Sequence, residues 1–489
     1  MSLQFIFGPS GSGKSHYLYE NIIKASMKHP EQDFIVLVPE QFTMQTQKDL
    51  VSMHERGGIM NIDVLSFGRL AYRVFEETGA GNLPVLDDEG KNLVLRKIAG
   101  DYEDKLKVLK GNMKKLGYIS EVKSVISEFA QYDIGEDELE RVIEAAGEGS
   151  GLFYKLEDIR VLYRGFTDYL HKKYITKEEL LDILSREVGR SDLLKNSTVA
   201  LDGFTGFTPV QNRLLREMLV HCRKVVLTVT MDGRENPYSY RHPYQLFALG
   251  KKTVAALIRT AEEAGVLVEE AVSLYDSPPY RFRERESLAF LEQNLFRFGS
   301  SVFEKEQKEV RICVARNPKE EAFAAAGRIR ELVRAKGYRY REIGVIVSNM
   351  EAYGDYLQQA FDAYHIPAFM DYKRSILQNS FVEYIRSLLA MAQEDFTCES
   401  VFRFLRTGLG GISYKDTCAL ENYVTGTGIK GYKKWQGRWA RRLRGMEEEE
   451  LERLNHLRVA FVERMDDLVF VLKQRRKTVK DITMALYEL

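Results

Sequence analysis

The chain has 489 residues, and at about 100–200 residues per domain it is expected to hold about three or four domains. Its 44% hydrophobic content fills several cores and excludes wholesale disorder, while 71 basic and 71 acidic residues leave no net charge. Any nucleic-acid contact must therefore come from a local groove and not from a globally basic surface.

No apolar run reaches the length of a membrane span, and the N-terminus does not read as a signal peptide. Cys222, Cys313, Cys398 and Cys418 are too scattered for a disulfide framework and form no CxxC pair, and the eight histidines show no metal-ligand spacing. Buried, reduced thiols in a cytoplasmic protein without a membrane partner are expected.

In chain order, LQFIF (3–7) predicts a buried strand, followed by a glycine-rich turn and a helix from about Lys14. FIVLV (34–38) and IDVL (62–65) predict two further strands, and SFGRLAYRVF opens another helix. This alternation predicts an α/β fold with a parallel sheet covered by helices. Residues 79–196 change texture to long charged segments with apolar residues at helical spacing, which predicts a helical insertion. Strand texture resumes at STVALDGF and KVVLTVTMDG. From Glu309 the order VRICV, ARNPKEEAFAAAGRIRELV, EIGVIVSN, YGDYLQQAFDAY, IPAFM predicts βαβαβ and a second parallel sheet. Asn317 is the expected N-cap of its first helix, with Pro318 as first residue and Glu320 as the reciprocal cap. The residues after about Ser380 predict polar helices, and the run into Leu489 without a stop signal suggests a longer natural chain. The expected division is a first domain in two parts (1–78 and 197–280) around the insertion 79–196, a second domain over 281–380, and a truncated helical insertion over 381–489.

Residues 8–15, GPSGSGKS, fit G-x-x-x-x-G-K-[ST] between a strand and a helix. Gly8, Gly11 and Gly13 let the backbone N–H groups surround phosphate oxygens. Pro9, Ser10 and Ser12 complete the loop. Lys14 is expected to reach the β- and γ-phosphates of ATP and Ser15 to ligate Mg²⁺. Asp202, at the end of TVAL, is placed to complete the magnesium shell, but the next residue is Gly203 instead of a water-positioning glutamate.

The longer pattern resembles the superfamily 1 DNA helicases. Asp202–Gln211 matches their D-E-x-Q-D…T-x-x-Q segment except for the glycine. LSFGRLAYRVF (65–75) resembles the stretch that contacts single-stranded DNA, and RNPKEEAFAAAGRIREL with IGVIVSN resembles the opening of the second motor domain. Val347, Ser348 and Asn349 stand where such helicases carry an arginine.

More narrowly, FGPSGSGKS, VPEQFTMQ (38–45), LDGFTGFTPVQ (201–211) and LENYVTGTGIKGYKKW (420–435) resemble the B subunit of AddAB-type ATP-dependent helicase–nucleases. The resemblance implies two RecA-like parallel-sheet P-loop domains with helical insertions. It also implies a heterodimer with an A subunit that drives translocation, and a role in processing DNA breaks for recombination and repair. A C-terminal nuclease domain with an iron–sulfur cluster is implied too, but no matching motif lies in these residues. Gln41, Thr43, Gln45, Phe67, Arg69, Phe204, Thr205 and Phe207 match the segments that hold single-stranded DNA and recognise the Chi hotspot. Gln and Thr can hydrogen-bond base edges, Phe can stack, and Arg can pair with guanine or phosphate. Phe42, Phe67, Phe204 and Phe207 can equally pack beneath the sheet.

The basic segment KGYKKWQGRWARRLR (430–444) has two open readings. It is either a nucleic-acid surface or a solvated helix with Trp435 and Trp439 turned inward. Losing an arginine finger costs on the order of 10³–10⁵ in rate, so ATP binding with little or no hydrolysis is expected. The alternatives are an active ATP-driven helicase and a small-molecule P-loop kinase.

Overall fold

The computed structural model describes residues 1–80, 84–171, 173–370 and 376–489. Two compact units, Met1–Ile312 and Cys313–Leu489, divide the chain. Residues 281–312, assigned from the sequence to the second domain, belong to the first unit.

The first unit begins with β1 (Ser2–Gly8), α1 (Lys14–Lys28), β2 (Asp33–Leu37), α2 (Thr43–Met53), β3 (Ile62–Leu65) and α3 (Phe67–Thr78). Ser66 caps α3 by accepting the Arg69 N–H, and Gly79 ends it in the left-handed region. The insertion carries β4 (Val85–Leu86), α4 (Asp88–Asp101), α5 (Leu116–Tyr132), α6 (Glu136–Ala145), α7 (Gly151–Leu170) and β5 (Ile175–Thr176). β4 and β5 pair in parallel, which ties its two ends together, and Leu95, Ile98, Ile126, Leu162 and Phe166 form its own core. Then come α8 (Lys177–Glu187), α9 (Asp192–Lys195), β6 (Ser197–Leu201), α10 (Pro209–His221), β7 (Lys224–Thr230), α11 (Ala248–Glu263), β8 (Leu267–Val268), β9 (Val272–Ser273) and α12 (Glu286–Asn294).

The sheet runs β3-β2-β6-β7-β1-β8, with β9 also beside β1, and every pair is parallel. Both faces are apolar, as a parallel sheet between helix layers requires. Phe5, Ile35, Leu37, Leu201 and Leu227 pack on one side against α3, α8, α10 and α11. Ile6, Phe34, Val36, Ala200 and Val226 pack on the other against α1 and α2. The α/β class and the parallel sheet are those the alternation predicts.

In the second unit, α13 (Pro318–Lys336) and α14 (Met350–Ala363) form as expected, and Asn317 caps α13 through the Glu320 N–H. No reciprocal bond from the Glu320 side chain is made among the described residues. The expected second sheet is corrected here. Among the described residues, 310–314, 343–348 and 366–370 hold no β ladder. Ile343, Val347, Ile366 and Met370 pack on Ala326, Leu357 and Phe361 of the two helices. Ile312, Val314, Ile346 and Phe369 lie more than 90% exposed. The apolar pattern supplied one packed face but no hydrogen-bonded neighbour, and a strand needs both.

The remainder is helical, as expected: α15 (Ser380–Gln393), α16 (Cys398–Leu405), α17 (Tyr414–Thr427), α18 (Tyr432–Gln436), α19 (Glu448–Lys473) and α20 (Val479–Glu488). The basic segment is not one long helix, because α18 stops before Gly437. Trp435 (0% exposed) and Trp439 (6%) are core residues, 5.2 Å apart and packed with Phe461 and Tyr423. The inward reading of the tryptophans is therefore what the fold adopts. Glu448–Glu450 open α19, where acids suit the positive helix end, and Arg438 pairs with Glu452. All four cysteines are free, but only Cys222 is buried and Cys313 is exposed. Among the described residues no helix is long and apolar enough to cross a membrane.

Candidate functional site

Because the strands are parallel, every loop leaving a carboxyl end opens on one edge of the sheet, where α/β folds place ligands. Edge bonds hold these loops together: Val38 N–H to Leu65 O (3.1 Å), Asp202 N–H to Leu37 O (3.0 Å), Met231 N–H to Gly8 O (3.0 Å) and Leu274 N–H to Phe7 O (2.8 Å).

The glycine loop lies between β1 and α1. Gly11 and Gly13 have φ of +79° and +93°, a region that side chains enter at a cost. A Cβ on Gly8 would stand 2.4 Å from Ser12 Oγ and 2.8 Å from Leu274 O, so that position admits no side chain. Ser12 Oγ is buried without a hydrogen-bond partner in the loop. Lys14 Nζ donates to Gly8 O (3.0 Å) and Pro9 O (2.9 Å), leaving one donor for a ligand. Burial pushes the Lys14 ammonium down to about 8, against the pull of the Asp202 carboxylate and with the help of Arg281. Ser15 is exposed at the start of α1. A closed turn of N–H groups, an orphaned hydroxyl and a lysine with a spare donor fit a phosphate chain.

Asp202 sits past the end of β6, separated from β1 by β7 and so by roughly 10 Å of sheet. It is buried and accepts from Tyr19 OH of α1 (2.8 Å) and Thr228 Oγ1 of β7 (2.5 Å). Burial and the Asp202 carboxylate both push the Tyr19 phenol up, so it stays a donor. Each carboxylate oxygen retains a lone pair, and with Ser15 the donor set is the hard oxygen type that suits Mg²⁺. Among the described residues no three His, Cys, Asp or Glu side chains form a cation cage. Gly203 has φ +78°, and a Cβ there would lie 3.6 Å from Pro39 Cδ. The position after the acid thus demands the conformation glutamate disfavours.

Two groups beside the loop escaped the sequence reading. Arg281 and Glu292 both act electrostatically on Lys14. Burial raises the Glu292 carboxyl, whereas its neighbour Asp232 behaves oppositely. Burial pushes Asp232 up, yet hydrogen bonds from Arg234 and Arg297 outweigh it and hold the acid at about 2. These residues border a 310 Å³ cavity that reaches Pro9. No local motif announces them, because they come from far along the chain.

The candidate strand contacts lie on the same edge. Gln41, Gln45, Arg69 and Thr205 are exposed, and Gln45 already donates to Asp49 (2.7 Å). Thr43 is buried and its hydroxyl donates to Glu40 O (3.0 Å), which leaves it no free face. Phe67 is 7% exposed and forms a ring cluster with Phe204 (5.3 Å) and Phe207 (6.3 Å). Phe204 and Phe207 are half-buried and also line a 480 Å³ groove with Leu246, Phe247 and Leu249. Phe67 thus packs as core, while the other two present a partial face.

The family described as "ADDB, N-terminal" matches residues 5–292, more than half of the chain and all of the loops just described. The chain belongs to the AddB family. Curated relatives named as the B subunit of an ATP-dependent helicase/deoxyribonuclease are similar along most of its length. That of Lachnoclostridium phytofermentans is 39% identical, covering 100% of this chain and 43% of its own. That of Clostridium kluyveri is 35% identical over 89% of this chain and 38% of its own. That of Caldanaerobacter subterraneus subsp. tengcongensis is 36% identical over 91% and 38%. The AddB chain here spans less than half the length of these relatives.

Proposed function

We propose that this chain is the ATP- and DNA-holding helicase-like part of a heterodimeric ATP-dependent helicase–nuclease that processes DNA breaks, with weak or no ATP hydrolysis of its own. One observation carries the reading: the phosphate loop is complete around Lys14, while the residue after Asp202 is a glycine in the left-handed region. The loop N–H groups and Lys14 hold the phosphates, and Ser15 and Asp202 would hold Mg²⁺, whose chemistry is to neutralise phosphate charge. No residue follows Asp202 to orient water. Gln41, Gln45, Arg69, Thr205, Phe204 and Phe207 would hold a single strand and scan it for Chi, with Phe67 and Thr43 supporting them from beneath. The partner A subunit would drive translocation, and the iron–sulfur cluster belongs, on this reading, to residues outside these 489.

The test is equilibrium binding of ATP and of single-stranded DNA, with DNA-stimulated turnover measured on this chain alone and with its partner. Binding without turnover supports the proposal; turnover at the pace of a working translocase removes it. A second reading, an active motor, draws on Glu292, a burial-raised carboxyl in the field of Lys14. Turnover abolished equally by Lys14→Ala and Glu292→Gln would favour it.

Gly203→Glu is expected to give no gain in turnover, since the new side chain would have to adopt φ near +78° beside Pro39. A large gain in an ATPase assay would show that the missing carboxylate alone had silenced the site.

Affinity for ATP is expected to fall as pH rises. Lys14 is charged below about 8 and neutral above it, so the cation that meets the phosphates disappears through that range. The loss from pH 7 to 9 should be about tenfold, and Lys14→Ala should give a flat profile by titration calorimetry.

A further inference from the structure

The 3-10 turn Tyr280–Phe282 is seated on the phosphate loop. Arg281 N–H donates to Gly11 O at 3.0 Å. A Cβ built on Gly11 would stand 2.9 Å from Arg281 Cβ and 3.1 Å from Phe282 Cε2, so loop and turn touch at their backbones. The turn is fastened from its own side as well. Pro279 is buried, its carbonyl accepts the Phe282 N–H at 2.9 Å, and Arg283 pairs with Asp276 at 2.7 Å.

Arg281 differs from these neighbours. Its side chain is exposed, and among the described residues no carboxylate or carbonyl accepts from its guanidinium. It nonetheless lies within the field of Lys14, together with Asp202 and Glu292. Asp202 is taken up by two hydroxyls, and Glu292 faces Arg297. Two cations therefore share the mouth of an anion-binding loop, and one of them is left without a protein partner. A guanidinium presents its donors as a planar fork that matches two phosphate oxygens.

We propose that Arg281, fixed to the loop through Gly11, contacts the polyphosphate of the bound nucleotide and is a binding residue for the ground-state triphosphate. The proposal rests on the nucleotide-binding reading above and deepens it.

The test is titration of the 489-residue chain with ATP and with ADP, for the parent, Arg281→Gln, Arg281→Lys and Lys14→Ala, alongside nucleotide-free thermal midpoints. Arg281→Gln should weaken ATP by about tenfold and ADP by less, and Arg281→Lys should restore part of the loss by returning charge without the fork. The nucleotide-free midpoint should not move, because the guanidinium holds nothing in the protein. Parent-like ATP affinity in Arg281→Gln, with Lys14→Ala impaired, would overturn the proposal and leave the nucleotide reading standing. Equal losses for ATP and ADP with a lowered midpoint would overturn it in favour of a structural turn. Reduced turnover at unchanged ATP affinity would overturn it too, by moving the arginine to the transition state. A parent chain that binds neither nucleotide would remove both readings together.

Discussion

Lys14→Ala is expected to lower ATP affinity by roughly 10–150-fold, the equivalent of about 1.5–3 kcal/mol for a charged hydrogen bond, without unfolding the chain. The lysine opens α1, and alanine is the best helix former, so the helix is retained. In the protein, Nζ serves only two loop carbonyls, Gly8 O and Pro9 O, and both can turn to water. The ammonium is held half-buried at a cost visible in its lowered pKa of about 8, an arrangement that an anion would relieve. Saturating ATP should therefore raise the melting midpoint of the parent chain but not that of the variant. Full affinity in Lys14→Ala would move the nucleotide away from this loop altogether.

Trp435→Ala is the second large effect and acts on the other unit. The ring is wholly buried, 5.2 Å from both Trp439 and Phe461 and 6.5 Å from Phe402, and Arg458 Nη1 donates to its carbonyl at 2.6 Å. Removing a core tryptophan costs about 3–5 kcal/mol, because the surrounding rings cannot close the space. The chain has two tryptophans, both in the Cys313–Leu489 unit, so fluorescence follows that unit alone. Trp439 remains as the reporter in the variant, and its urea midpoint should drop sharply. ATP binding to the first unit should be preserved. A loss below about 1 kcal/mol would mean that the cluster is loosely packed, contrary to the burial of its rings.

What could be read from the sequence follows from how local each feature is. The phosphate loop was legible because its glycines, its lysine and the flanking strand and helix are contiguous. Asp202 was legible as an acid ending a strand, but its hydroxyl partners Tyr19 and Thr228 come from other elements. Arg281 and Glu292 were invisible for the same reason, since only the folded sheet brings them to Lys14. The segments 310–314, 343–348 and 366–370 misled because hydrophobic alternation reports a buried face and says nothing of a ladder partner. Trp435 and Trp439, four apart, suggested one helix face, yet the helix ends at Gln436 and the chain folds both rings against α19. Thr43 looked like a free polar residue, and only the seating of α2 shows that it is covered.

The position of β1 has a consequence for how the chain is born. It is the first strand made, yet its ladder partners are β7, β8 and β9, whose residues lie between Lys224 and Ser273. At about 5–20 residues per second, a ribosome needs roughly 10–50 s to bring β7 out after β1. Throughout that interval the N-terminal strand and its glycine turn have no backbone neighbour. The element that must close tightest is the one that waits longest, and slowed translation between residues 30 and 220 would lengthen its exposure to chaperones and proteases.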